Sequence, residues 1–80
     1  MIPLYGFLEG DTIGLLVLAE EDDSIAEIAR KLQAAARLRA VIDGPVTVLY
    51  AGKPVDPALT VSDAGMTALA RFDVRRGLPA

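Results

Sequence analysis

The sequence predicts an α+β fold: a mixed sheet with one main helix packed across one face and a short helical turn before the last strand. Three observations predict it. Two apolar runs near the start, residues 2–8 and 12–19, flank Glu9-Gly10-Asp11, a short loop whose central glycine can take the positive φ that hairpins need. A capped apolar stripe of helical spacing follows, from Ser24 to Ala36. Two further runs, residues 46–50 and 70–75, then read as strands.

The second run is the most informative stretch. Side chains alternate between the two faces of a strand, so Ile13, Leu15 and Val17 fall on one face and are expected to line the core. Leu16 and Leu18 fall on the other, where a solvated sheet carries polar residues. With one layer of helix available, that second face needs a cover, and another protein is the expected one.

Glu20-Glu21-Asp22-Asp23 precedes Ser24, and Glu27 stands three residues beyond it. That is the pattern of a capping box, with Ser24 accepting from the Glu27 N–H and Glu27 reaching back to the N–H of Ser24. Carboxylates at a helix start also complement its partial positive charge. The acidic cluster therefore has a structural explanation and is not expected to hold metal. Ile25, Ile28, Ala29, Leu32 and Ala36 form the apolar stripe, while Arg37 and Arg39 sit at the C-terminal end, where cations are favoured.

Asp43-Gly44-Pro45 marks a turn into the third strand, Val46-Thr47-Val48-Leu49-Tyr50. Ala51-Gly52-Lys53 turns the chain, and Pro54-Val55 is at most a very short edge strand, since proline cannot donate to a ladder. Thr60 with Asp63 makes a second capping box, for one turn of helix stopped by Gly65. In the last strand Phe72 and Val74 share one face; Arg71, Asp73 and Arg75 share the other.

Eighty residues, 52% hydrophobic and 24% charged, describe one globular domain, expected over residues 1–76 with a mobile tail at 77–80. A net charge of −3 argues against nucleic-acid binding, and the longest apolar run is too short to span a bilayer. With no targeting segment visible, the cytoplasm is the expected location. The chain has no histidine and no cysteine, which removes the usual general base and the soft metal ligands. No phosphate loop is formed by its glycines. The expectation is a chain that is not an enzyme by itself and carries no cofactor.

Thr12-Ile13 after Gly10, Ala51-Gly52-Lys53 after a strand, and Leu59-Thr60-Val61-Ser62-Asp63 resemble ubiquitin-like sequences at corresponding spacings, which implies a β-grasp fold. More narrowly, Pro3-Leu4-Tyr5-Gly6-Phe7, Gly10-Asp11-Thr12-Ile13-Gly14-Leu15-Leu16-Val17 and Arg71-Phe72-Asp73-Val74 resemble the toluene-4-monooxygenase system protein B (TmoB-like) family. That resemblance implies an accessory, γ-type subunit of a multicomponent di-iron aromatic or hydrocarbon monooxygenase, with the larger hydroxylase subunit as partner. A di-iron carboxylate site needs Glu-x-x-His pairs on facing helices, so the metal and the oxidation chemistry would reside in that other subunit.

The expected partner surface is the helix-free face: Leu16, Leu18 and Leu4 as an apolar ribbon, Leu49 extending it, and Arg71, Asp73 and Arg75 as a charged rim. Left uncovered, the same face is open to self-association. A strand distorted at Gly14, turning these leucines into the core, is the bland alternative. Two other roles belong to the same superfamily: a modifier or sulfur carrier acting through a trimmed C-terminus, and an interaction module such as a secretion accessory. Arg75-Arg76-Gly77 superficially resembles the tail of ubiquitin, but a single glycine followed by Leu78-Pro79-Ala80 lacks the Gly-Gly that conjugation requires.

Overall fold

A computed structural model describes residues 1–78 of the chain. In chain order the elements are β1 (Ile2–Leu8), β2 (Leu15–Ala19), α1 (Ile25–Ala36), β3 (Val46–Tyr50), β4 (Lys53–Pro54) and β5 (Arg71–Arg76). The strands form one mixed sheet in the order β2-β1-β5-β3-β4. β1 and β5 run parallel at its centre; the other neighbours are antiparallel. A parallel pair cannot be closed by a tight turn. The chain between β1 and β5 accordingly returns through α1, which packs across one face. This is the β-grasp arrangement.

The apolar stripe of α1 is buried as expected at Ile25, Ile28, Ala29, Leu32 and Ala36. It meets the inward residues of each strand: Leu4 and Leu8, Val17 and Ala19, Val48, Phe72 and Val74. Gly6 shares the inward side of β1, and a Cβ placed on it would lie 2.8 Å from both Leu32 Cδ1 and Phe72 Cζ. The helix therefore reaches the sheet at its centre only because residue 6 has no side chain.

Two expectations about the core need correction. Leu4, expected on the exposed ribbon, is fully buried beneath the helix. Gly6 and Leu8 follow it on the same face by the two-residue period of the strand, which turns Tyr5 and Phe7 outward instead. Ile13, expected in the core, is 49% exposed, because β2 begins at Leu15 rather than at Thr12. The connection bends outward there. Asp11 Oδ1 accepts from the Thr12 N–H at 2.8 Å, and the Asp11 carboxylate takes Arg39 Nε and Nη2 at 3.2 and 3.0 Å through Oδ2. Arg39 thus fastens the loop rather than neutralising helix carbonyls. The guanidinium, together with the Thr12 amide, holds the Asp11 carboxyl below its ordinary range.

At the start of α1, Ser24 Oγ accepts from the Glu27 N–H at 3.1 Å, as a cap should. The reciprocal half of the box is not made. The Glu27 carboxylate instead pairs with Arg30 Nη2 at 2.9 Å, one turn along. Thr60 Oγ1 likewise accepts from the Asp63 N–H at 3.0 Å, and the Ala64 N–H closes a single helical turn on the Thr60 carbonyl at 3.0 Å. Gly65, at φ 77°, ends it. That turn seats Val61 and Met66 as buried residues at one end of the core. In the tail, the Gly77 N–H donates to the Pro45 carbonyl and Thr47 Oγ1 donates to the Gly77 carbonyl. Of the expected tail, residues 79 and 80 lie outside the described residues.

Three stability measurements test this account. Gly6→Ala overpacks the contact with Leu32 and Phe72 and is expected to cost about 1–3 kcal/mol, read as a lower denaturation midpoint. Ser24→Ala is expected to cost about 0.5–2 kcal/mol through loss of the cap, and an unchanged midpoint would count against the cap. A depressed carboxyl pKa adds stability that is fully present above the unfolded value, ~3.9. That stability is lost as pH falls through the folded value. Asp11→Asn is therefore expected to lower the midpoint at pH 7 more than at pH 3. Equal losses at both would show that the Asp11–Arg39 pair is not what holds the loop.

Candidate functional site

The face of the sheet opposite α1 is built by register. Tyr5 of β1 lies beside Leu16 of β2 and Arg71 of β5, and Pro3 lies beside Leu18. Phe7 lies beside Asp73, which has Leu49 of β3 on its other side; Thr47 pairs with Arg75. Side-chain alternation puts all of these on the helix-free face. Of the residues expected there, the fold brings together Leu16, Leu18, Leu49, Arg71, Asp73 and Arg75. It places Leu4 on the other side.

Leu16 and Leu18 are 54% and 49% exposed, so the leucines do not turn into the core. A second cluster abuts them. The Arg71 guanidinium carbon sits 4.0 Å from the centroid of the Phe7 ring, within range of a cation–π contact. Arg71 Nε also donates to Asp73 Oδ1 at 3.1 Å, which fixes the guanidinium over the ring. Tyr5 and Phe7 stack with centroids 6.3 Å apart. Beneath Phe7 lies Gly14, where an added Cβ would stand 2.5 Å from the ring. Tyr5, Phe7 and Gly14 extend the site beyond the sequence reading. Counting Gly6 as an inward position sets the phase of β1 and turns both aromatic residues outward.

Lys31 on α1 holds the exit of β2. Its Nζ donates to the Leu18 carbonyl at 3.0 Å and to Asp23 Oδ2 at 2.7 Å. The ammonium, with the Glu20 N–H at the same carboxylate, keeps the Asp23 carboxyl below its usual range. The site thus combines paired strand backbone, aliphatic area, two aromatic rings and an oriented guanidinium. Aromatic residues and arginine are the types that dominate protein interfaces, where leucine contributes area more than hot-spot energy. Among the described residues, no group of three or more His, Cys, Asp or Glu side chains is placed to hold a metal ion. No helix among them is long and apolar enough to cross a membrane.

Comparison with solved structures gives matches to the same fold. A chain of the toluene 4-monooxygenase HD complex with the inhibitor 4-bromobenzoate superposes with a TM-score of 0.82 at 22% identity, covering 91% of this chain and 94% of that one. The ubiquitin of Caldiarchaeum subterraneum gives a TM-score of 0.77 at 12% identity, covering 99% and 98%. Among curated proteins, none matches the chain significantly. The family model for toluene-4-monooxygenase system protein B matches residues 1–75. The chain belongs to the toluene-4-monooxygenase system protein B (TmoB) family.

Proposed function

We propose that this chain is a non-catalytic accessory subunit, of γ type, in a multicomponent di-iron aromatic or hydrocarbon monooxygenase. It docks onto the large hydroxylase subunit through its helix-free sheet face. The observation that carries the reading is the uncovered apolar surface at Leu16 and Leu18, continuous with Tyr5, Phe7 and Arg71. Family membership supports the choice of a monooxygenase system. The redox centre belongs to the partner, because a chain without histidine supplies no Glu-x-x-His pair and its own residues do not fit such a site. What this chain contributes is binding and orientation.

Copurification with the hydroxylase subunit, followed by titration, tests the docking. Burying a fully exposed leucine is worth about 1.5–3 kcal/mol, and with Leu16 and Leu18 at 54% and 49% exposure about half of that remains to be gained at each, so Leu16→Ser with Leu18→Ser is expected to weaken the complex by at least about tenfold. Exposed positions tolerate such changes, so the thermal midpoint should stay near that of the parent. Tyr5→Ala is expected to weaken binding as well, through loss of an aromatic anchor. A double variant that folds and binds normally would move the interface elsewhere. One that unfolds would assign these leucines to the core.

A further inference from the structure

The chain enters β5 through a tight turn, Thr67-Ala68-Leu69-Ala70, closed by the Ala70 N–H on the Thr67 carbonyl at 3.0 Å. The third residue of the turn, Leu69, stands at φ 65°. A positive φ at that position selects glycine or asparagine, because a larger side chain crowds its own backbone. Elsewhere among the described residues the positive-φ positions are glycine, apart from Ala51, whose side chain is a single methyl group. The sequence thus places a bulky residue where local sterics ask for none.

A strained residue inside a core is repaid by what it buries. Leu69 is not: it is 60% exposed and takes no part in the buried cluster under α1. An exposed leucine alone carries little information, and a positive φ alone occurs in many turns. Together they mark a side chain that the fold holds at its own expense and does not use, as strained residues at binding sites are held.

Its position says what the side chain serves. The Leu69 N–H donates to the Pro3 carbonyl at 2.6 Å, and Pro3 lies beside Leu18 of β2. Leu69 also walls an open hollow with Leu49, Arg71 and Asp73, residues of the helix-free face. Leu18, Pro3 and Leu69 therefore make a row across the sheet, next to the row of Leu16, Tyr5 and Arg71. The charged neighbours Arg71 and Asp73 are paired with each other, so what Leu69 offers a partner is apolar contact.

We propose that Leu69 is an anchor through which this chain binds the large hydroxylase subunit, against an apolar patch of that partner. The inference rests on the docking reading above and carries its surface from β2 across to the lead-in of β5.

Two substitutions separate the side chain from the backbone. Leu69→Gly removes the side chain and suits the turn; Leu69→Ala removes it and keeps the unfavourable φ. Titrated against the hydroxylase subunit, each is expected to bind at least about fivefold more weakly, as loss of the exposed part of a leucine implies. In the free chain Leu69→Gly is expected to raise the thermal midpoint by about 2 °C or more, while Leu69→Ala leaves it near the parent value. A residue kept for binding gives stability gained and affinity lost; a structural leucine loses both. A lowered midpoint or a failure to fold in Leu69→Gly overturns the proposal, as does parental affinity in either variant. So does a change confined to self-association of the free chain. Leu16→Ser with Leu18→Ser, titrated in parallel, distinguishes the two readings. If that pair loses affinity while the Leu69 variants keep it, the docking face stands and the anchor falls; if all bind normally, both fall.

Discussion

The distance between helix and sheet governs this molecule. It is set where Leu32 and Phe72 meet over Gly6, a position at which even a methyl group would stand 2.8 Å from their carbons. With that contact made, Ile25, Ile28 and Leu32 of α1 and Val74 of β5 are all fully buried. A chain of 80 residues supplies one helix of useful length to cover one side of a five-stranded sheet, counted among the described residues. The other side stays open by arithmetic, and its side chains decide what the protein can bind.

β2 lies at one edge of the sheet, with β1 as its strand neighbour. It is fastened at both ends to the helical side: Asp11 with Arg39 at its entry, Lys31 with Asp23 and the Leu18 carbonyl at its exit. Charge placed on one side of the sheet thereby positions apolar groups on the other. Phe7, resting on Gly14 and covered by Arg71, continues the same surface across β1 to β5. Such a preformed face loses little conformational entropy on binding.

The element order, the helix stripe and its serine cap were all legible from periodicity and capping chemistry, because each is written in local sequence. The phase of β1 was not. Pro3-Leu4-Tyr5-Gly6-Phe7-Leu8 is apolar or neutral throughout, and only the tertiary contact with Leu32 shows that Gly6 is an inward position. Apolar or neutral residues at every position leave the two faces of β1 indistinguishable in sequence, so neither the burial of Leu4 nor the exposure of Tyr5 can be read from the pattern. Ile13 failed differently: its alternation with Leu15 and Val17 is real, but the Asp11–Arg39 pair, separated by 28 positions, pulls the backbone out of the ladder before the strand begins. Glu27 found Arg30 in place of the Ser24 amide, a choice between two neighbours that spacing alone leaves open.

The bond from Lys31 to the Leu18 carbonyl has a consequence for the free protein. An edge strand bearing exposed leucines is a template on which copies of a chain can stack into fibrils. Here the Lys31 ammonium, itself paired with Asp23, occupies one of the acceptors that such stacking would use. The Leu18 acceptor is thereby withheld from an incoming strand, while the exposed leucines lie on the flat of the sheet and not along its border.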